Sequence, residues 1–456
     1  MVAERRSWRA AVAAYGQPRI LAMLCLGFSA GLPFLLVFST LSAWLTQVDI
    51  SRTTIGLFSW VGITYSIKVF WAPVVDRLPL PLLTRWLGRR RSWMLIAQLG
   101  IALGLAGLAL SDPGESLALV AWLALLVAFA SATQDIAVDA WRIEAAPREE
   151  QGAMAAAYQL GYRIALLVAG AGALFLAAEY GWTVAYLAMA GFVAIGIVTS
   201  LLIREPVANI DLAEPPGAER LARFAHLPMP VARVLAWFYS AVIGPFVEFF
   251  ARNGLRLGLT TLLFIGLFRV TDITMGVMAN PFYLDMGYTL KQVAAIAKGY
   301  GVVMTIIGTF AGGVIVARIG ADRSLVVGGL LVIATNLCFA FLAMSQAPGI
   351  AGLVMVIGAD NFAGGFAGTA FIAYLSGLTS VSYTATQYAL FSSLFTLPGK
   401  LLAGASGLVV DSYGYAIFFL YTSALGIPAL IIISLLIRMT SRRAAELNAS
   451  RAAPGG

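Results

Sequence analysis

The stretch LALVAWLALLVAFASATQDIAVDAWRIE (117–144) begins with an apolar run and ends with two aspartates, Asp135 and Asp139, followed by Arg142. A run of about 20 apolar residues is long enough to cross a bilayer as an α-helix. A charged side chain inside such a run costs about 2.5–3.5 kcal/mol and is for that reason a functional candidate. The stretch therefore predicts a membrane helix that carries carboxylates toward one end.

The same apolar pattern recurs along the whole chain. Of the 456 residues, 60% are hydrophobic and 11% are charged, whereas soluble domains carry about 25% charged residues. We predict an all-α integral membrane protein with twelve transmembrane helices. The predicted spans cover residues 20–46, 54–76, 93–111, 117–141, 153–178, 182–203, 257–284, 291–317, 324–345, 350–376, 385–410 and 415–438.

Positive charge is concentrated in alternate loops between these spans. The arginines of those loops are Arg5, Arg6, Arg9, Arg19, Arg77, Arg85, Arg89, Arg90, Arg91, Arg204, Arg220, Arg223, Arg233, Arg318, Arg323, Arg438, Arg442 and Arg443. Because Lys and Arg mark cytoplasmic loops, both chain termini are predicted to be cytoplasmic. A nucleic-acid-binding surface is the alternative interpretation, but the alternation with spans favours topology, and no nucleic-acid partner is expected.

A polar break divides the predicted spans into two sets of six. Residues 205–256 are rich in Pro, Ala and charge, a composition typical of a linker. This cytoplasmic linker separates an N-terminal bundle (1–204) from a C-terminal bundle (257–440), and residues 441–456 are predicted to form a disordered cytoplasmic tail. The two bundles echo each other weakly, which is expected of pseudo-symmetric parallel repeats with a transport site between them.

Cysteine and histidine usage argues against other kinds of site. Cys25 and Cys338 both lie in apolar spans, and the single histidine, His226, lies in the linker. This pattern fits neither a disulfide framework nor a metal site, and it offers no nucleophile and base for an enzyme. We expect no metal, no cofactor and no catalytic activity.

Several cations within the spans lack an acidic neighbour on their own helix. Arg163, Lys298 and Lys400 need partners from another helix or from a ligand. They predict an anionic cargo in a central cavity, with Tyr162 available to stack on a sugar face, although most such aromatics serve packing. Lys68, near the inner end of its span, is interpreted as a side chain that snorkels to the interface.

Three carboxylates are candidates for proton coupling. Asp135 and Asp139 are one turn apart and share a helix face, so each resists ionisation of the other. The structural alternative is that Asp139 pairs with Arg142 and locks the cytoplasmic end. Asp272 is the third candidate, with a static ion pair to Arg269, three residues earlier, as its alternative.

The residues that end these spans resemble a known family. The segments SATQDIAVDAWRIE (131–144), EEQGAMAAAYQLGYR (149–163), FRVTD (268–272), DNFAGGFAGTAFIAYL (360–375) and ATQYAL (385–390) are similar to the AmpG-type muropeptide permeases of the major facilitator superfamily. PFVEFFARNG (245–254) resembles the short amphipathic helix that such proteins place before span 7. The resemblance covers roughly residues 20–435 in both halves.

This resemblance implies a fold and an activity. The expected fold is the major facilitator fold, two six-helix bundles that rock about a central site. The expected activity is proton-driven import of N-acetylglucosaminyl-anhydro-N-acetylmuramyl peptides across the bacterial inner membrane. Separately from the resemblance, we expect the chain to act as a monomer. Asp360 and Asn361, which open the segment at 360–375, join the predicted substrate-binding residues.

The resemblance also implies a cytoplasmic gate. PVVDR with LGRRRSW (73–93) occupies the position of the superfamily's loop motif, so Asp76, Arg77, Arg89 and Arg90, together with Arg142, are predicted to latch the inner helix ends.

The sequence departs from the family pattern at several positions. Trp71 replaces the usual glycine of the loop motif, ten residues separate Arg77 from Gly88, and Asp360 stands where glutamate is common. These differences leave open a siderophore or an acyl-CoA-type molecule as an alternative anionic cargo on the same fold.

Overall fold

The computed structural model describes residues 16–50, 58–206, 228–229, 231–232, 235, 239–345, 349–380, 383–403 and 406–452, and these residues contain no β-strand. The helices of the first half are α1 (Pro18–Leu36), α2 (Ser39–Gln47), α3 (Ile63–Ile67), α4 (Ala72–Arg77), α5 (Leu83–Leu87), α6 (Arg89–Ala109), α7 (Leu117–Ala145), α8 (Gln151–Leu167), α9 (Ala173–Tyr180) and α10 (Trp182–Leu202). Shorter 3₁₀ and π segments lie at Ser59–Gly62, Lys68–Phe70, Arg148–Glu150 and Val168–Gly172.

The second half continues the same all-helical pattern. Its helices are α11 (Gly244–Asn253), α12 (Leu255–Phe268), α13 (Val270–Asp285), α14 (Leu290–Val293), α15 (Gly301–Ile319), α16 (Ala321–Met344), α17 (Ile350–Leu378), α18 (Thr384–Ala403) and α19 (Ser406–Ala452). Two π-helical segments lie at Tyr239–Ile243 and Ala294–Tyr300, and α19 is kinked at Gly414.

Ten helices of the described residues, some continued through a kink, are long and apolar enough to cross a bilayer. The predicted spans at 54–76 and 385–410 are not among them. The first is broken into short segments around Lys68, and α18 opens with the polar sequence TATQY. The all-α membrane architecture is confirmed, and twelve spans with cytoplasmic termini are consistent with it.

Glycines bring the backbones of neighbouring helices together within each half. A Cβ added at Gly161 of α8 would lie 1.9 Å from the carbonyl oxygen of Leu24 in α1. A Cβ at Gly308 of α15 would lie 2.1 Å from the carbonyl oxygen of Phe362 in α17. Close packing through small residues is how membrane helices gain dispersion contacts without a hydrophobic driving force.

The two halves meet through a small set of helices. Helix α8 of the first half packs against α15 and α17 of the second half, and α18 of the second half packs against α4 and α7 of the first half. A Cβ added at Gly152, at the start of α8, would lie 2.9 Å from the carbonyl oxygen of Gly313. The helix ends that the arginines predict to be cytoplasmic are therefore in contact between the halves.

The predicted short helix before span 7 is present as α11. Gln387 of α18 donates hydrogen bonds to the carbonyl of Pro245 (2.9 Å) and to Glu248 (2.6 Å), and Arg252 donates to the carbonyl of Leu378 (2.6 Å). Arg443 donates to the last carbonyls of α11 at 3.0 Å. These contacts dock α11 on the ends of α17, α18 and α19.

The prediction of a disordered tail is not met over residues 441–452, which continue α19. The sequence SRRAAELNASRA contains neither Gly nor Pro and is rich in helix-forming Ala and Arg. Residues 453–456 of the predicted tail, and much of the predicted linker, lie outside the described residues.

Candidate transport site and cytoplasmic gate

Asp76, the penultimate residue of α4, binds the first turn of α18. Its carboxylate accepts hydrogen bonds from the backbone N–H groups of Ala385 (3.3 Å) and Thr386 (2.8 Å) and from the Thr386 hydroxyl (2.8 Å). The following residue, Arg77, places its guanidinium 4.8 Å from the centre of the Tyr383 ring. Because the first N–H groups of a helix lack internal partners and favour negative charge, a carboxylate of one half caps a helix of the other.

Two arginines of α6 hold Asp76 in place. Arg90, whose side chain is 1% exposed, binds Asp76 at 2.8 Å and Glu144 at 2.6 Å. Arg89 donates to the backbone carbonyl of Asp76 at 2.5 Å. The structure thus brings together the predicted gating residues of the loop motif and adds Glu144 to them.

Glu205 caps α6 and was missed by sequence reasoning. Its carboxylate accepts the backbone N–H groups of Arg90 (2.7 Å) and Arg91 (3.2 Å). Burial raises the pKa of the Glu205 carboxyl, while these two N–H groups oppose the rise. Sequence reasoning also missed Glu144 and Thr386. The signal that could have found them is an acidic or hydroxyl side chain at a helix end that faces the basic loop.

Arg142 joins α7 to the second half. Its buried guanidinium donates to the hydroxyl of Ser376 in α17 at 2.6 Å and to Asp139 at 3.2 Å, and it lies 5.0 Å from the centre of the Tyr388 ring. Asp139 therefore has the arginine partner that the structural alternative describes. Its predicted part in proton coupling stays a prediction.

Asp135 occupies a different environment one turn deeper. Its Oδ1 atom is buried and has no hydrogen-bond partner among the described residues. The charges of Lys68 and Asp139 act on this carboxylate, and its own charge acts on the hydroxyls of Tyr158 and Tyr162. Lys68 is only 8% exposed, so the interpretation of a side chain that snorkels to the interface is wrong.

The predicted central cations have different surroundings. Arg163 is exposed and has neither a hydrogen bond nor an ion pair within the described part of the chain. Lys400 donates to the hydroxyl of Ser66 in the first half at 3.2 Å. Arg269 and Asp272 form the expected ion pair at 3.2 Å. The backbone at Lys298 is helical, and its side chain lies outside the described residues.

Asp360 and Asn361 lie on α17 and are both partly exposed. Asp360 accepts a hydrogen bond from Thr335 at 3.4 Å, and Asn361 accepts one from Thr305 at 2.9 Å. Tyr162 is also partly exposed, with its ring centre 6.0 Å from that of Tyr158. All three side chains retain surface that a ligand can contact.

The cations, carboxylates and aromatic rings of the described residues suit the binding of a polar ligand. They contain no group of three or more His, Cys, Asp or Glu side chains that can hold a metal ion. An apolar cavity of about 440 Å³ lies between α1, α8 and α15, and hydrocarbon side chains such as Leu24, Leu160 and Phe310 dominate its lining. Such a lining does not suit a polar cargo, whereas the cations and carboxylates between the halves do.

Comparison with known proteins places this arrangement in a family. The sequence profile of the Major Facilitator Superfamily matches residues 20–403. The chain is 34% identical over 421 residues to the anhydromuropeptide permease of Escherichia coli K12, which covers 92% of this chain and 80% of that protein. It is also 34% identical over 417 residues to the protein named AmpG 4 of Rickettsia felis, covering 91% and 95% of the two chains.

Solved structures share the fold at low sequence identity. The proton:xylose symporter XylE has a TM-score of 0.63 and 13% identity, with 94% of this chain and 96% of that chain covered. The Escherichia coli fucose:proton symporter FucP has a TM-score of 0.63 and 14% identity, with 94% and 99% covered. The chain belongs to the Major Facilitator Superfamily and, within it, to the AmpG family of permeases, so it is a multi-pass membrane transporter and not an enzyme.

Proposed function

We propose that this chain imports anhydro-muropeptides across the bacterial inner membrane, driven by protons, as a monomer that works by alternating access. The observation that carries the proposal is the charged site between two halves that are latched at one end by Asp76 and α18. The 34% identity to an anhydromuropeptide permease supports the choice of cargo.

The latch explains how access can alternate. Opening toward the cytoplasm requires Asp76 to leave the first turn of α18 and Arg142 to leave Ser376. Both contacts join one half to the other, so a rigid rotation of the halves breaks them together. The ion pairs of Arg90 and Arg142 within the first half can persist in both states.

Proton coupling is assigned to the carboxylates, with Asp135 as the main carrier. A carboxyl group with a buried oxygen that lacks a hydrogen-bond partner costs much more in its ionised form than in its neutral form. Asp135 can therefore take up a proton when its surroundings are dry and release it when water enters. Asp139 assists through its charge, and Asp272 is the competing carrier.

Cargo binding is assigned to charged, polar and aromatic side chains contributed by both halves. An anhydro-muropeptide offers sugar rings and several carboxylates, which suit the cations and the aromatic surface. The proposed binding residues are Arg163, Lys298, Asp360, Asn361, Lys400 and Tyr162. A siderophore or an acyl-CoA-type anion on the same fold is the alternative cargo.

The test is uptake of labelled anhydro-muropeptide by proteoliposomes, with and without an inward proton gradient. We expect accumulation only with the gradient and competition by unlabelled muropeptide. A siderophore and an acyl-CoA serve as control competitors. Accumulation that ignores the gradient contradicts proton coupling, and stronger competition by either control contradicts the cargo.

A further inference from the structure

We propose that Arg163 of the first half and Arg269 of the second together bind one carboxylate of the cargo, and that Asp272 holds Arg269 while the site is empty. This inference rests on the proposed function, because it names the chemical group that the same site recognises.

The geometry places Arg269 and the face of α8 that carries Arg163 beside one point of α17. Gln159 and Arg163 are four residues apart on α8 and therefore share a helix face. Gln159 donates a hydrogen bond to Thr369 of α17 at 2.6 Å. A Cβ added at Gly368 would lie 2.9 Å from Oε1 of Gln159 and 3.5 Å from Nη1 of Arg269. The guanidinium of Arg269 thus reaches the face of α8 that carries Arg163.

The charges at this point are incompletely balanced. Arg163 is exposed and has no partner in the described ranges, while Arg269 and Asp272 remain 27% and 20% exposed despite their ion pair. The charge of Arg269 acts on Arg163, and Asp360 interacts with both members of the pair. An unpaired cation in a membrane span is costly unless a ligand or another charge compensates it.

A carboxylate suits this site better than a neutral group. Guanidinium groups present planar N–H donors that match two carboxylate oxygens, and such charge-assisted hydrogen bonds are about twice as strong as neutral ones. An anion between Arg163 and Arg269 also removes the repulsion between them. Because the arginines come from different halves, the same anion draws the halves together and links cargo binding to closure.

The test measures binding of two compounds to the purified full-length chain. One is anhydro-muropeptide with free carboxylates, and the other carries primary amides in their place. We expect the wild type to bind the acid about tenfold more tightly than the amide. Arg163→Gln should remove this preference and leave affinity for the amide unchanged.

Arg269 is tested with a double variant, because replacing Arg269 alone leaves the Asp272 carboxylate without its ion-pair partner. In Arg269→Gln/Asp272→Asn both charges are absent, and we expect a loss of about tenfold for the acid only. Asp272→Asn alone should tighten binding of the acid, since the competing carboxylate is gone. The exposed Arg85 provides the matched control, and Arg85→Gln should bind like the wild type.

Equal losses for acid and amide, or weaker binding of the acid by Asp272→Asn, overturn the inference. A wild type that binds neither compound overturns the proposed cargo instead. In that case the arginine pair is judged with acetylated alanyl-glutamate and its diamide, for which the same pattern of variants is expected. A wild type that does not prefer this small acid to its diamide overturns the arginine pair as well.

Discussion

Asp135 and Asp139 are one turn apart on α7, yet their surroundings differ. Asp139 has an arginine partner at 3.2 Å, whereas Asp135 has a buried oxygen without a partner among the described residues. The sequence predicts the shared face, because the spacing of four residues defines it. The spacing of three residues also predicts Asp139 as the partner of Arg142, but it does not predict the hydrogen bond from Arg142 to Ser376, because Ser376 lies in the other half.

The proton carrier can be identified by comparing two neutral variants. Asp135→Asn should lose gradient-driven accumulation yet retain exchange of cargo across the membrane, because the site stays intact while the titrating group is gone. Asp272→Asn should keep accumulation. The measurement is counterflow and uptake in proteoliposomes. Accumulation by Asp135→Asn together with its loss in Asp272→Asn contradicts the assignment.

The latch residue Asp76 gives a second test. Asp76→Asn removes the charge that faces both Arg90 and the N-terminus of α18, an interaction of the kind that contributes about 1 kcal/mol or more. We expect transport to fall roughly tenfold, with cargo binding still measurable.

Asp112 serves as the control for that variant, because it lies in an exposed turn and, among the described residues, its carboxylate accepts a hydrogen bond only from the backbone N–H of Gly114. Asp112→Asn should transport at the wild-type rate. If Asp76→Asn transports cargo at the wild-type rate, the contact between Asp76 and α18 is not part of the mechanism.

At the scale of the helices, apolar run length predicts where most spans lie. It does not predict that the second span is broken at Lys68–Phe70, since that segment packs against α18 of the other half. The gating motif is predictable because it resembles the loop motif of the superfamily. Glu205, Thr386 and Ser66 are not, because their partners lie on other helices.

Close packing of α1 on α8 makes a testable stability prediction. Gly161→Ala places a Cβ 1.9 Å from a backbone oxygen of α1, so the helices must separate, and we expect a loss of about 2 kcal/mol. Gly191→Ala in α10 meets no atom within 4 Å and should stabilise by about 0.5–1 kcal/mol.

Thermal unfolding in detergent measures both glycine variants. The expected result is a lower Tm for Gly161→Ala and a Tm at or above the wild-type value for Gly191→Ala. Equal Tm values for the two variants contradict the backbone contact.

For the whole molecule, the loop arginines predict an orientation that labelling can check. In a chain carrying Cys25→Ser and Cys338→Ser, an impermeant thiol reagent added to spheroplasts should label Glu179→Cys and not Arg85→Cys. Both positions are exposed, so access alone does not separate them. Labelling of Arg85→Cys from outside reverses the predicted topology.

The last helix also has a mechanical consequence. From the kink at Gly414 to Ala452 it continues without a further break in backbone geometry. Its 38 residues from 415 to 452 measure about 57 Å at about 1.5 Å per residue, against a hydrocarbon core of about 30 Å. The excess forms a lever arm beyond the bilayer. A fluorophore fused at the tip of this arm will therefore move further than the span itself when the halves rock. Each rocking cycle will appear as a change in the distance between the fluorophore and the first half.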